Sequence, residues 1–450
     1  MNTKLNKISQ FITDGYANFT ARLGLRTDNL TKSGTYVWDG LVNERMTLEY
    51  MYSGSWVAKA AIEVPARDMT RAGVSFTGVE QKETAILQKS LVDLDIWNSI
   101  RECIMWARLY GGCIGYLQVD GQDPSTPLDL DTVSKDQFLG IEVLSRWQVT
   151  PSVGQMIDSG LDKGLPEYYM SVFDNSIYSK PYTIHHSRVI RFIGITVPWY
   201  QKIALLFWGQ SVLVNIHSRI KAYDMVNTMI DQLANKAHLR TFKVKGMREL
   251  LATGGADAQE TLLNYVQLMR ETQSTEDITV IDSEDDFDAI PYNFQGLKDL
   301  LEIEGEQLSG ALGIPQSKLF GRQADGLGAT HTGDISYYYA NIECDRESQL
   351  RRPVGKILEL ISRSKLGMPL PEDFSFTFDS LEQLDDATIA DLGTKTTNSV
   401  ATALDKNIIT PDEAREQLKK SSKVTDLFGE LEGPAPAPKV TEGEPKSDDE

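Results

Sequence analysis

The chain has 450 residues, and its 45 Lys and Arg against 64 Asp and Glu leave a net charge of −19. That length accommodates one large core or two to four domains, and a balance this acidic repels nucleic acid except where basic residues gather locally. The strongest apolar run, Ile203–Trp208, is far shorter than the about eighteen residues that cross a bilayer. The opening MNTKLNKISQF lacks a secretory core and cleavage site, so no membrane partner and a cytoplasmic chain are expected.

Ser55–Thr70 places Trp56, Ala60 and Val64 at helical spacing, and Pro65 is expected to bend or end that helix. A second helix is expected over Lys82–Tyr110, where Leu87, Leu91, Leu94 and Trp97 fall three or four apart. Both are amphipathic and need a surface to cover. The short β-branched and aromatic runs Cys113–Val119, Leu139–Val149, Glu167–Phe173 and Tyr182–Ile193 predict that surface as a sheet, so residues 1–208 read as an α+β region. Cys103, Cys113 and Cys344 form no C-x-x-C pair, which predicts buried free thiols rather than zinc ligands or a disulfide.

Within residues 209–238 the pattern changes. From Ser211 to His238 apolar residues recur every three or four positions with no Gly or Pro, predicting a helix about 42 Å long. It lines a core or packs against a copy of itself. Residues 239–291 follow as an α/β insert, with a helix expected over Ala256–Thr272 and a strand over Ile278–Asp282. The basic concentration of this acidic chain lies at its entrance: Lys236, Arg240, Lys243, Lys245 and Arg248. TFKVKG (Thr241–Gly246) alternates, so Lys243 and Lys245 project from one face of a strand. Aligned lysines neutralise phosphates regardless of sequence or guard a solvated edge strand, and taken alone the pattern favours the edge strand. The acidic run Asp282, Glu284, Asp285, Asp286 and Asp288 lacks the fixed offsets of an EF-hand and reads as a solvated face, with no metal expected.

Helical spacing resumes over Tyr292–Leu312 and runs into LGIPQSKLFGRQADGLGATHTGD, Leu312–Asp334, a glycine-rich loop that completes residues 292–330. Loops this long inside a compact domain are uncommon, and those that persist are functional or mobile. Gly321 and Gly326 stand as the outer glycines of a phosphate-binding loop, but Leu327 and Gly328 occupy the positions of its lysine and hydroxyl residue. No strand pattern precedes it either, so neither a nucleotide nor any other cofactor is expected. A long helix over Thr332–Ser362 opens residues 331–380, and Pro353 predicts a kink near Gln349–Pro353. Residues 381–428 read as helices, with TPDE at Thr410–Glu413 supplying an N-cap Thr, a first-position Pro and a third-position Glu. Residues 429–450 carry seven acids, two lysines and four prolines, a composition that cannot bury a core and predicts a disordered tail.

The order of parts resembles a known family. IHHSRVIRFIG (Ile184–Gly194), WGQSVL (Trp208–Leu213), LGIPQSKLFGR (Leu312–Arg322), DGLGATHTGD (Asp325–Asp334) and YYYANIECDRESQLRRP (Tyr337–Pro353) are together similar to the portal proteins of tailed double-stranded-DNA bacteriophages, in the branch common in prophages. The resemblance spans about residues 40–425 and implies an α+β, portal-like fold: mainly helical with small mixed sheets, two long stem helices, an α/β clip insert and a long kinked helix. It implies a wing (1–208 with Thr332–Ser362), stem helices Ser211–His238 and Tyr292–Leu312, a clip (Leu239–Pro291), a tunnel loop (Gly313–Thr330) and a crown (Leu381–Phe428).

It further implies a homo-oligomeric ring, usually dodecameric, at one capsid vertex, with double-stranded DNA passing through it weakly and without sequence preference. The implied partners are the terminase large subunit, a head-tail connector and the major capsid or scaffolding protein. On that reading Lys318 and Arg322, carried by the mobile backbone of Gly321, Gly326 and Gly328, are the expected DNA contacts. Arg240, Lys243, Lys245 and Arg248 then form a docking surface for an acidic partner, or for the acidic run Asp282–Asp288 of a neighbouring subunit.

Two rival readings belong to other classes. A two-histidine phosphoesterase, an anti-defence enzyme, needs two H-x-[ST] elements. His185-His186-Ser187 supplies one, while His331-Thr332-Gly333 and His217-Ser218-Arg219 do not, so no catalytic residue is expected. A non-ring scaffold or adaptor is the other, and mass in solution separates it from a ring.

Overall fold

The computed structural model describes residues 44–172, 181–235, 238–243, 264, 267, 286–291, 296–321, 328–382, 386–406 and 408–425. They divide into two compact units, one reaching Phe378 and the other beginning at Asp379. The first forty residues, the Ile278–Asp282 strand and the acidic tail lie outside the described residues. Of the expected Ala256–Thr272 helix only Asn264 and Gln267 are described, both helical.

The first unit opens with α1 (Arg45–Gly54) and α2 (Trp56–Thr70). α2 does not end at Pro65 but continues through it for a further turn, with Val57, Ala58, Ala61, Ile62 and Ala66 buried. A proline inside a helix removes the N–H that the carbonyl four residues earlier needs. Here that carbonyl is Ala61 O, and it accepts Nη2 and Nε of Arg108 at 2.8 and 3.3 Å. The lost helical bond is replaced from a neighbouring element.

Arg108 lies on α4 (Ile96–Tyr110), which follows α3 (Gln81–Asp93). The single helix expected over Lys82–Tyr110 is therefore two. Asp95 breaks it with φ 50°, a left-handed conformation that Asp tolerates through short-range bonds, and its carboxylate accepts Asn98 Nδ2 while its carbonyl accepts Ser99 Oγ at 3.1 Å. The expected strands form in two small antiparallel sheets, but the Leu139–Val149 and Tyr182–Ile193 runs each divide into two strands, one in either sheet. β2 (Gly112–Val119) lies between β3 (Phe138–Ser145) and β7 (Val189–Ile193), and β5 (Tyr168–Ser171) lies between β4 (Val149–Pro151) and β6 (Thr183–His185). Ile114, Tyr116, Leu144, Tyr169, Ile184 and Trp208 pack into one buried cluster. A Cβ at Gly112 would stand 2.2 Å from the Trp208 ring, so only glycine admits the indole against the strand. β1 (Val74–Thr77) pairs with the distant β10 (Ser375–Phe378), from Val74 opposite Phe378 to Thr77 opposite Ser375.

The first stem helix, α6, spans Val212–Asn235, its 24 residues giving about 36 Å. It is shorter than the Ser211–His238 pattern because β8 (His238–Lys243) has already begun at His238. α5 (Trp199–Ala204) precedes it. β9 (Asp286–Pro291) returns antiparallel to β8, and α7 (Leu297–Leu312) packs against α6. After the short α8 (Gln316–Phe320), the long helix begins as α9 at Gly328, four residues before the expected Thr332. It widens into a π turn at Arg346–Leu350 and continues as α10 (Arg351–Ile361), a discontinuity at the position foreseen from Pro353. Val354, Ile357, Leu358 and Ile361 bury its inner face.

In the second unit α11 (Asp386–Asp405) packs with α12 (Pro411–Thr425). Thr410 and Glu413 close a capping box, Thr410 N donating to Glu413 Oε2 at 2.8 Å and Glu413 N to Thr410 Oγ1 at 3.3 Å. Cys103 and Cys113 are buried free thiols, as expected, and burial pushes the Cys113 thiol up. Cys344 is exposed, against expectation, because it lies on the outward side of α9. Among the described residues no helix is long and apolar enough to cross a membrane.

Replacing Arg108 with Met orphans the Ala61 carbonyl and is expected to cost about 2 kcal/mol in denaturant unfolding. In a Pro65→Ala background the restored N–H satisfies that carbonyl, so the same change should cost about 1 kcal/mol less. Equal losses in the two backgrounds would contradict the substitution of one donor for the other.

Candidate functional site

The glycine-rich segment between α8 and α9 is built on two anchored roots. α7 stops at Gly313, where Ser309 Oγ donates to the Ile314 carbonyl at 2.6 Å and Ile314 is buried. Pro315 then starts α8. Leu319 of α8 is buried, and Phe320 packs on Trp56 of α2 and Tyr223 of α6, with ring centroids 5.7 and 5.5 Å apart. Gly321 closes α8 at φ +66°, a turn in which a side chain would be strained.

These contacts carry Lys318 onto Asp68, in the last turn of α2. The Asp68 side chain is 5% exposed, and both its oxygens accept Lys318 Nζ at 3.2 Å. Oδ2 also accepts the Tyr338 hydroxyl of α9 at 3.0 Å, and Arg71 Nε lies 3.6 Å from Oδ1. Lys318 Nζ and the Arg71 guanidinium both stand 5.0 Å from the centre of the Tyr339 ring. Burial, and then the Asp68 carboxylate, push the Tyr338 hydroxyl far above its usual range, keeping it a neutral donor. One buried carboxylate thus ties the helix before the glycine segment and the helix after it to the same turn of α2.

This placement corrects part of the sequence reading. Lys318 was expected on mobile glycine-rich backbone, but it is a helix residue whose ammonium is engaged, because Leu319 and Phe320 bury beside it. Gly328 opens α9 and Gly321 caps α8, so both end helices rather than loosen a loop. Arg322 and Gly326 lie outside the described residues. Asp68 and Tyr338 were not singled out from the sequence. A signal existed: Asp68 falls four residues after Val64 and seven after Ala61, on the apolar side of its helix, where a carboxylate requires partners.

The two described ends of the insert between the long helices α6 and α7 pair as strands β8 and β9. Lys243 stands opposite Asp286, Thr241 opposite Asp288 and Arg240 opposite Ala289. Asp286 and Asp288, the end of the acidic run, therefore lie on the strand whose backbone pairs with the start of the basic segment, since α6 and α7 bring the two ends of the insert together. Lys245 and Arg248 lie outside the described residues.

The H-x-S element is occupied structurally. His185 Nδ1 accepts Ser187 N at 3.2 Å, and Ser187 Oγ accepts Leu128 N at 2.6 Å, pinning the turn into β7 to the 120–130 loop. Burial lowers the pKa of both His185 and His186. Among the described residues no three His, Cys, Asp or Glu side chains gather as metal ligands.

Small antiparallel sheets, two packed stem helices with a strand-paired insert between them, and a long helix interrupted by a π turn define a portal-like fold. The family model for phage portal proteins matches residues 46–402, and the chain belongs to that family. A protein described as "Anti-CBASS protein Acb1" from Sphingomonas paeninsulae is 29% identical over 368 residues, covering 75% of this chain and 56% of that protein. An uncharacterized protein of Haemophilus influenzae is 24% identical over 372 residues, covering 82% and 80% respectively. The chain spans about half the length of the Acb1 relatives it matches. Among solved structures, the neck of a native gene transfer agent particle computed with C12 symmetry matches at a TM-score of 0.50 and 13% identity, over 86% of this chain and 95% of that one.

Asp68→Ala should leave the half-buried Lys318 ammonium without its carboxylate and the buried Tyr338 hydroxyl without its acceptor, a loss of about 3 kcal/mol. Lys318→Met, at a side chain 25% exposed, should cost about 1 kcal/mol. Urea unfolding of the two variants checks the order, and a larger loss for Lys318→Met would show that Asp68 is not the centre of the cluster.

Proposed function

We propose that this chain assembles as a ring at one capsid vertex and forms the conduit through which a phage genome is packaged and ejected. The observation that carries the reading is a family match that runs through stem, insert, glycine segment and long helix without interruption. The shared fold with a gene transfer agent neck, itself computed with twelvefold symmetry, supports it. A ring of identical subunits uses two different faces of each subunit, one toward either neighbour.

A conduit for a sliding duplex works against strong binding, because every neutralised phosphate adds attraction. A chain at −19 meets that need. With Lys318 held by Asp68, the DNA contact falls to Arg322, one residue beyond the Gly321 turn, and the anchors keep the root of the segment fixed while its tip meets the duplex. The insert entered through β8 and β9, with Arg240, Lys243, Lys245 and Arg248 in its sequence, is the proposed docking surface for the terminase large subunit and later the head-tail connector. The capsid or scaffolding protein meets the wing.

The Anti-CBASS name of the Acb1 relatives points to a second reading as an anti-defence protein, of which the phosphoesterase considered from His185-His186-Ser187 is one form. Its support is narrow: the matched stretch is about half of those proteins, and the H-x-S element here is locked in a structural turn.

Arg322→Glu is expected to leave ring assembly intact and to reduce filled heads about tenfold, the factor that 1.4 kcal/mol of lost attraction per duplex carries. Packaging assays with the cognate terminase read this directly. Undiminished packaging by the variant would remove Arg322 from the conduit.

A further inference from the structure

A half-open cavity of about 780 Å³ lies in the wing between β5, the turn after β6, β7 and the π turn of the long helix. Three cations line it, Arg191, Arg352 and Lys356, against a single carboxylate, Asp162. Positive charge is therefore concentrated in the interior of a chain whose overall balance is −19. Apolar side chains, Leu128 and Leu165 among them, make up much of the remaining wall.

Arg191 carries its charge into this interior without a paired carboxylate among the described residues. Its Nη2 donates to the Phe207 carbonyl, its guanidinium lies 4.6 Å from the centre of the Trp208 ring, and the Tyr169 hydroxyl is its further side-chain hydrogen-bond partner. A buried guanidinium held only by neutral groups gains from an incoming anion, because charge-assisted hydrogen bonds are the stronger ones. Lys356 Nζ donates to the carbonyls of Ser187 and Val189, and burial first, then the Arg352 charge, hold its pKa down to about 8. At the rim Arg352 meets Asp162 in a bidentate pair at 2.7 and 2.5 Å, with the Arg352 side chain 63% exposed and free to turn toward a second acceptor.

We propose that this cavity docks an acidic peptide segment of a partner protein, Arg191 and Lys356 taking one carboxylate inside and Arg352 another at the mouth. A volume of this size suits a few side chains, whereas a duplex is too wide to enter. A free inorganic anion would leave the apolar wall wet, while a peptide that alternates acidic and aliphatic side chains satisfies both surfaces. Long-range repulsion from the rest of the acidic chain leaves a cationic opening such as this one favoured for an acidic segment. The inference concerns the wing of a single subunit and stands whether or not the ring reading does.

Fluorescence anisotropy of a labelled peptide of four Glu-Leu repeats, titrated with the full chain, tests it. Saturable binding is expected near a Kd of about 10 μM, at least about tenfold weaker for the Gln-Leu counterpart and about tenfold weaker for Arg352→Ala. Ser348→Trp, at an exposed position on the lining, should block the mouth and abolish binding without touching the buried cations. The proposal is overturned if the Gln-Leu peptide binds equally, if Ser348→Trp and Arg352→Ala both leave binding unchanged, if no saturable binding occurs, or if inorganic phosphate displaces the peptide at micromolar concentration.

Discussion

A carboxylate withdrawn from water into the last turn of one helix sets the terms for the rest of this structure. Asp68 requires compensation wherever it is buried, and it finds it in Lys318, Tyr338 and Arg71, drawn from both sides of the glycine segment. An apolar residue there would pack as well, but it would not specify which helices meet. Seven residues earlier on the same helix, the Ala61 carbonyl left vacant by Pro65 recruits Arg108. Two polar debts on α2 thus fix α4, α8 and α9 around it, and the chain between α8 and α9 departs from a rigid base.

That arrangement suits a conduit. A loop that approaches passing DNA has to move at its tip, yet its position in a ring has to be reproducible from subunit to subunit. Phe320 against Trp56 and Tyr223 couples the root to the first stem helix as well as to α2. At the entrance to the insert, the backbone register of β8 with β9, from His238 opposite Pro291 to Lys243 opposite Asp286, closes its two ends against each other.

Much of this was legible in the residues wherever the cause is local. The Thr410 to Glu413 box, the strands between Gly112 and Ile193 and the interruption ahead of Pro353 all follow from side chains acting within about five positions of themselves. The misreadings share the opposite origin. Pro65 is accommodated by an arginine from another helix, which no helical pattern displays. Asp95 breaks a continuous apolar stripe by adopting a left-handed turn that its own carboxylate stabilises. Lys318 looked like a free loop charge because its partner lies 250 positions away, and Cys344 looked buried only because cysteine usually is. Family resemblance singled out the glycine segment but left its anchor unseen, since the anchor is a tertiary fact about Asp68.

The account stands or falls on where the segment between Gly321 and Gly328 sits in the assembled particle. Electron cryomicroscopy of the purified protein is the direct measurement. It should show closed rings in which that segment faces the axial channel while Lys318 and Tyr338 remain on Asp68 of the same subunit. Rings with the segment on the outer wall, or a protein that stays a single subunit at every concentration, would contradict it.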